Sequence, residues 1–219
     1  MPDDLNALPK SVVASSYDTI AERHAEWARG IRQEERARFI AILVEALPSD
    51  SSLLELGCGT AGPTTRALAQ HFRLTGVDIS PRSIELARKA LPTATFLAAD
   101  MTTISFPEST FDAVAAFYSI IHVPREELAL LFQRIAGWLR PGGLVVATMN
   151  GSDTPGSFQH DWLGAPMFWS GYDPSTTRRL VEGAGLIVTS LILETADEDG
   201  EPTSFWWLVA RRPLLGAGY

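Results

Sequence analysis

The stretch LLELGCGTAG, residues 53–62, decides how this chain is read. Leu53 to Leu56 form an apolar run interrupted by Glu55, and glycines follow at 57, 59 and 62. A buried strand that gives way to a turn poor in side chains lets a ligand lie against the backbone. A plain strand-to-helix turn would use the same residues. Gly57, Gly59 and Gly62 also match the G-x-G-x-x-G spacing of dinucleotide sites, so the turn by itself leaves the ligand open.

Outward from this turn, short apolar segments alternate with amphipathic ones. SSLLEL, RLTGVDIS, ATFLAAD, FDAVAAFYSI and GGLVVATM read as strands, and GPTTRALAQHF, PRSIELARKALP and PREELALLFQRIAGWLR as helices. Such alternation predicts an α/β fold, a parallel sheet with helices on both faces. FDAVAAFYSI is apolar on both sides, as a central strand should be. Upstream, SVVASSYDTIAERHAEWARG reads as a helix ending at Gly30, and RQEERARFIAILVEALP as a second helix ended by Pro48. Downstream, a loop over residues 150–173 leads to a helix, DPSTTRRLVEGAG, closed by Gly185. LIVTSLILET and TSFWWLVARR then flank the acidic turn ADEDGEP and predict an antiparallel hairpin. The expected whole is a single domain over 1–219. A helical cap covers 1–48, a ligand-binding core 51–149, a lid 150–173, and a helix plus hairpin 174–212.

The chain has 219 residues, 46% hydrophobic, with a formal net charge of -8. That suits one α/β domain with a sizeable core. The absence of a basic stripe argues against nucleic acid as a partner, and the acidic balance favours a small neutral or cationic substrate. The lone cysteine, Cys58, excludes an internal disulfide and suits a reducing cytoplasm. MPDDLNALPK at the start is polar and acidic, unlike a signal peptide. No apolar run reaches the roughly 18 residues that span a bilayer, so no membrane is expected. The chain is expected to be a monomer or homodimer.

Three acids fall at strand ends, where ligands bind in open parallel sheets. Asp78 ends the second strand and can accept from a ribose diol; capping the following helix is its plainer use. Asp100, followed by Met101, can accept from an adenine amino group while Met101 packs on the ring. Glu55 sits behind the glycine turn. A buried carboxylate there would repel a pyrophosphate but favour a cofactor with an ammonium or sulfonium group.

LLELGCGTAGPT, LTGVDIS, FLAADM, FDAVAAFYSIIHV and LRPGGLVVATM together resemble the ordered motifs of class I S-adenosylmethionine-dependent methyltransferases. SYDTIAERHAEWA resembles the N-terminal helix that covers the cofactor in small-molecule members. The resemblance runs from about residue 15 to residue 212 and implies a Rossmann-like seven-stranded sheet whose last strand is antiparallel. It implies that Gly57, Cys58, Gly59 and Thr60 line the methionine part of S-adenosylmethionine and that Asp78 holds the ribose. Asp100 and Met101 then hold the adenine, Phe117 lies under the cofactor, and Tyr17 approaches its methionine end. Glu55 and Ile79 complete the cofactor set. Related helices repeat a tyrosine seven positions after the first, where this chain has His24.

Methyl transfer from a sulfonium needs alignment in a dry pocket more than electrophilic help. His122, just beyond the fourth strand, is the candidate base; holding the loop through backbone bonds is its structural alternative. The aromatic stretch SFQHDWLGAPMFWSGYD, residues 157–173, is expected to wall the substrate pocket. His160, Asp161, Trp162, Met167 and Trp169 are its candidates, with Tyr118 and His24. The spacing of these histidines matches no metal motif, and Cys58 reads as structural. The resulting expectation is methylation of a small metabolite or natural product, at oxygen before nitrogen or carbon. Rival readings are an NAD-dependent oxidoreductase, a protein that binds the cofactor without transferring methyl, and an enzyme that uses the sulfonium for another reaction such as a cyclisation.

Overall fold

Residues 9–198 and 200–214 are described by a computed structural model; most of the polar stretch at the start of the sequence lies outside them. Two helices come first, α1 (Pro9–Ala28) and α2 (Gln33–Ala46). Then follow β1 (Ser52–Leu56), α3 (Pro63–Ala69), β2 (Arg73–Asp78), α4 (Pro81–Ala90), β3 (Thr95–Ala98) and β4 (Phe111–Ala116). Helix α5 (Leu128–Trp138) leads into β5 (Leu139–Asn150), and β6 (Thr154–Trp162) pairs with β7 (Ala165–Gly171). The chain continues through α6 (Pro174–Gly183), β8 (Ile187–Glu198) and β9 (Glu201–Arg211).

Seven strands form one sheet in the order β3-β2-β1-β4-β5-β9-β8. The neighbouring pairs among β1 to β5 are parallel, while β9 runs antiparallel to both β5 and β8. Six strands therefore share one direction and the strand last in sequence opposes them, as expected. The hairpin does not simply extend the edge: its second strand is inserted inside its first. Strand order reverses between β1 and β4, which opens the crevice where such sheets bind ligands.

Alternation along the strands builds two cores. Leu53, Ala113 and Ala115 face α2, α3 and α4, where Phe39, Leu43, Leu68 and Ile84 meet them. Leu54, Leu56 and Val114 face α5 and α6, packing with Leu131, Phe132 and Val181. Period-two alternation also splits the tryptophans of β9. Trp207 is fully buried and stacks on Phe39 with ring centroids 4.1 Å apart, while Trp206 packs into the opposite core. Pro81 opens α4, and Ser80 caps it by accepting from the Ser83 amide at 2.9 Å.

One expected element is corrected. Residues 150–173 are not a loop: they hold the β6–β7 hairpin, a separate two-stranded sheet. Its turn is Leu163-Gly164, both with positive φ (53° and 90°), between the paired Trp162 and Ala165. That is the backbone of a two-residue hairpin turn without the usual Asn-Gly or Asp-Gly signature. The hairpin stands under α1, where Val13 and Ile20 pack with Ala165, Met167 and Phe168. Among the described residues no helix is long and apolar enough to cross a membrane.

Candidate functional site

Past β1 the chain remains bonded to β2: the amides of Gly57 and Cys58 both donate to the Val77 carbonyl, at 2.7 and 3.1 Å. Gly57 and Gly59 adopt positive φ, +78° and +54°. A Cβ on Gly57 would lie 2.2 Å from the Ser119 Cβ, so only glycine fits beneath the β4 loop. A Cβ on Gly59 would meet nothing within 4 Å. The protein leaves that space open above the turn.

The turn forms one wall of a cleft of about 1100 Å³, including its open mouth. Tyr17, Glu55, Gly57, Cys58, Gly59, Thr60, Asp78, Ile79, Asp100, Met101 and Phe117 all line it, as do His24, Tyr118 and His122. Helix α1 forms its roof. The roof is tied down by Asp18, which accepts from the Ser80 hydroxyl at 2.6 Å and the Arg82 amide at 3.0 Å. Ser16 donates to the Pro166 carbonyl, and Arg23 donates to the Leu163 carbonyl at 2.6 Å, which joins α1 to the hairpin.

The three acids occupy different electrostatic settings. Asp78 is buried, and its two oxygens accept from the Gly59 and Ser80 amides, each at 2.9 Å. Burial pushes its carboxyl up from the usual range against those bonds. Asp78 thus fixes the glycine turn as well as facing the cleft. Asp100 accepts from the Thr102 amide and hydroxyl, both at 2.8 Å, and lies 2.9 Å from the Lys10 ammonium. Burial raises its carboxyl, but Lys10 and Thr102 outweigh that and hold it below the ordinary range. Glu55 is 3% exposed; its Oε1 lies 3.2 Å from the Thr65 hydroxyl and its Oε2 has no partner. Burial pushes its carboxyl up to about 8. Burial likewise pushes the Cys58 thiol well up, away from thiolate chemistry.

At the other end of the cleft, Tyr17 reaches from α1 to His122 on the loop after β4. His122 is buried, and its Nδ1 lies 2.8 Å from the Phe168 carbonyl. A carbonyl only accepts, so Nδ1 carries the hydrogen and donates; Nε2 then accepts from the Tyr17 hydroxyl at 2.9 Å. Burial lowers His122 to about 4, so the ring is neutral near pH 7. Burial holds the Tyr17 hydroxyl protonated far beyond its ordinary range. Both nitrogens of the candidate base therefore have partners, one of them a backbone carbonyl.

Beyond the Tyr17–His122 pair lies a smaller chamber of about 370 Å³, including its open mouth. Trp162 and Trp169 from the hairpin wall it, their rings 5.4 Å apart, with Trp27 and His24 from α1 opposite. The remaining hairpin candidates do not reach it. The strand register shifts between Gln159 and Trp162, which turns Trp162 inward and leaves His160 and Asp161 exposed. Asp161 instead accepts from the Gly164 amide at 2.8 Å and closes the turn. Met167, two residues before Trp169 in β7, is fully buried beneath α1.

Sequence reasoning missed Lys10 and Arg36. Arg36 lines both cavities, with its guanidinium 4.3 Å from the centre of the Tyr118 ring. A signal for it existed. Arg36 lies three, four and seven residues before Phe39, Ile40 and Leu43, on the buried stripe of α2. A cation on such a stripe faces either a core carboxylate or a pocket. Nothing in the sequence marks Lys10, whose partners Asp100 and Glu127 are distant along the chain.

With this geometry in place, the chain can be set beside known proteins. Residues 53–143 match a family model described as a methyltransferase domain. The chain is 34% identical over 116 residues to 2-methyl-6-phytyl-1,4-hydroquinone methyltransferase of Synechocystis sp., covering 50% of this chain and 36% of that protein. It is 34% identical over 153 residues to trans-aconitate 2-methyltransferase of Enterobacter sp., covering 68% of this chain and 58% of the relative. The matches thus span from about a third to three fifths of these curated relatives. In fold it is similar to the crystal structure of magnesium protoporphyrin IX methyltransferase from Synechocystis, solved with bound SAM. That match has TM-score 0.70 at 15% identity and covers 94% of this chain and 99% of that one. Residues 53–143 thus match a methyltransferase domain, and the chain around them resembles class I S-adenosylmethionine-dependent methyltransferases in its motifs and its fold.

Proposed function

We propose that the chain transfers a methyl group from S-adenosylmethionine to a small-molecule acceptor held in the aromatic chamber. The observation that carries this reading is the single cleft joining an open glycine turn, Asp78 and Asp100 to a buried carboxylate oxygen without a partner. That oxygen, Glu55 Oε2, fits a ligand bearing an ammonium group. When bound, S-adenosylmethionine supplies a methyl group made electrophilic by its sulfonium.

The chain's own residues do the rest. Asp78 takes the ribose, Met101 and Asp100 the adenine, and Gly59 gives the methionine part its space. Asp100 shares its carboxylate with Lys10, so its adenine contact uses the oxygens' remaining lone pairs. Tyr17 lies between the cleft and the chamber, where nucleophile and methyl must meet. Its hydroxyl hydrogen is spent on His122, which turns the oxygen's lone pairs toward the junction. His122 is thereby a positioning residue, and the Phe168 carbonyl fixes its tautomer. The hairpin and α1 exclude water from the junction, and alignment of that kind supplies up to about 7–11 kcal/mol of a displacement barrier.

Oxygen remains the preferred acceptor atom, although proton removal by His122 no longer supports it. The direct test is calorimetry on the folded chain with S-adenosylhomocysteine and, separately, NAD. Binding of the first alone is expected, with affinity lost on Asp78→Ala. Uptake of NAD with none of the nucleoside thioether would overturn the reading.

A further inference from the structure

The chamber's chemistry identifies the class of acceptor, an inference that deepens the methyl-transfer reading and rests on it. Trp27, Trp162 and Trp169 line the chamber with aromatic surface against which a flat ring can lie. His122, at the chamber's junction with the cleft, is not free to take a proton from the acceptor. Both nitrogens of His122 are engaged, at 2.8 and 2.9 Å. An acceptor that arrives already ionised needs no proton transfer to His122.

The polar groups in the chamber indicate its charge. Arg36 enters from α2, and Nη1 donates to the Thr64 hydroxyl at 3.3 Å while buried Nε has no partner. The Tyr118 hydroxyl beneath it is also buried without a partner. Glu198, the other charged group lining the chamber, is tied to Arg32. Two unmet donors, one of them on a permanent cation, thus belong to side chains that line the chamber beside its aromatic walls.

The geometry points to a planar acceptor bearing an acidic hydroxyl or carboxyl, bound as its oxyanion between Arg36 and Tyr118 and methylated on that oxygen. The proton goes to solvent before binding, so the chain needs no base. A lone pair of the oxyanion forms the new carbon–oxygen bond as the methyl–sulfur bond breaks. The bonding pair stays on sulfur, which becomes a neutral thioether, and the acceptor becomes a neutral ether or ester. This reverses the preference for neutral or cationic substrates that the net charge suggests. Surface charges are screened beyond about 8–10 Å, whereas Arg36 lies inside the chamber.

The test uses the full chain saturated with S-adenosylhomocysteine and three flat probes of similar size: 2-naphthoate, 2-naphthalenemethanol and 2-naphthylmethylammonium. Quenching of tryptophan fluorescence reports their binding. Naphthoate should bind at least about tenfold more tightly than the other two, as charge-assisted bonds predict. Arg36→Met should remove that advantage and Arg36→Lys should retain part of it. Tightest binding of the ammonium probe would overturn the inference. So would an Arg36→Met variant that loses S-adenosylhomocysteine affinity but keeps naphthoate selectivity, since Arg36 would then serve the cofactor alone. Wild-type chain that fails to bind S-adenosylhomocysteine in its own titration would defeat the underlying reading instead, so the two failures are told apart.

Discussion

Replacing Glu55 by Gln tests the electrostatic logic of the cleft through protons. Glu55 is buried with a carboxyl raised to about 8. At pH 7 it is therefore about nine-tenths protonated in the ligand-free chain, from one unit of difference. An ammonium arriving at its unpartnered oxygen favours the charged form and expels that proton. Binding of S-adenosylhomocysteine at pH 7 should then release up to about 0.9 proton through this residue, and progressively fewer above pH 8. The linked affinity should rise up to about tenfold per unit below pH 8 and level off above it. Titration calorimetry in buffers of different ionisation enthalpy reads the proton count directly. The Glu55→Gln variant should lose this component, while the ligand's own amino group contributes equally to both proteins. The same shift has a sign in stability. A carboxyl raised on folding stabilises fully below pH 4.5, and that stability is lost as pH rises through 8, by up to about 1.4 kcal/mol per unit. Melting temperatures of the variant should fall less steeply across that window. Equal proton release in both proteins would refute the placement of a ligand ammonium at Glu55.

Three other perturbations check the frame around the site. Gly57→Ala forces a side chain at φ +78° against Ser119 and should cost more than the roughly 1–2 kcal/mol of the backbone term alone, whereas Gly62→Ala, with open space around it, should cost little; chemical denaturation compares them. Trp207→Ala removes the ring stacked on Phe39 and should destabilise by about 3–5 kcal/mol in the same assay. His122, lowered on folding to about 4, contributes stability that is complete above pH 6.5 and lost as pH falls through 4, up to about 3 kcal/mol. His122→Gln should flatten that acid limb in thermal melts, and an unchanged limb would refute the buried neutral imidazole.

The core of the fold was legible because its signals are local. Each of β1 to β5 is a short apolar run bounded by Gly, Pro or an acid, and each intervening helix has a cap or an amphipathic stripe. The cleft residues were legible for the same reason: Asp78, Asp100 and Tyr118 sit at or just past strand ends, and strand ends converge in a parallel sheet. The hairpin was not. Pro155 and Gly156 near its start look like loop residues, and Leu163-Gly164 carries none of the usual turn chemistry. Its register shift then decided which side chains face the chamber, and a shift of pairing leaves no mark in the sequence. Lys10 was hidden because its partners are set by tertiary contact alone. Arg36 was readable in principle, as a charge where α2 should be apolar. His122 shows the limit most clearly. Its position in the chain marks it as a base, and only the distances to Phe168 and Tyr17 reveal that its nitrogens are occupied.

The placement of β9 between β5 and β8 has a consequence for how the chain matures during synthesis. Strand β8 is made first, yet within the sheet it is paired to β9 alone. Until residues beyond Glu201 have left the ribosome, β8 has no neighbour and β5 presents an open edge beside the half-built site. A chain interrupted before that point would carry two apolar strands with unmet backbone groups, so translational stalling there should yield aggregates instead of a trimmed but working enzyme.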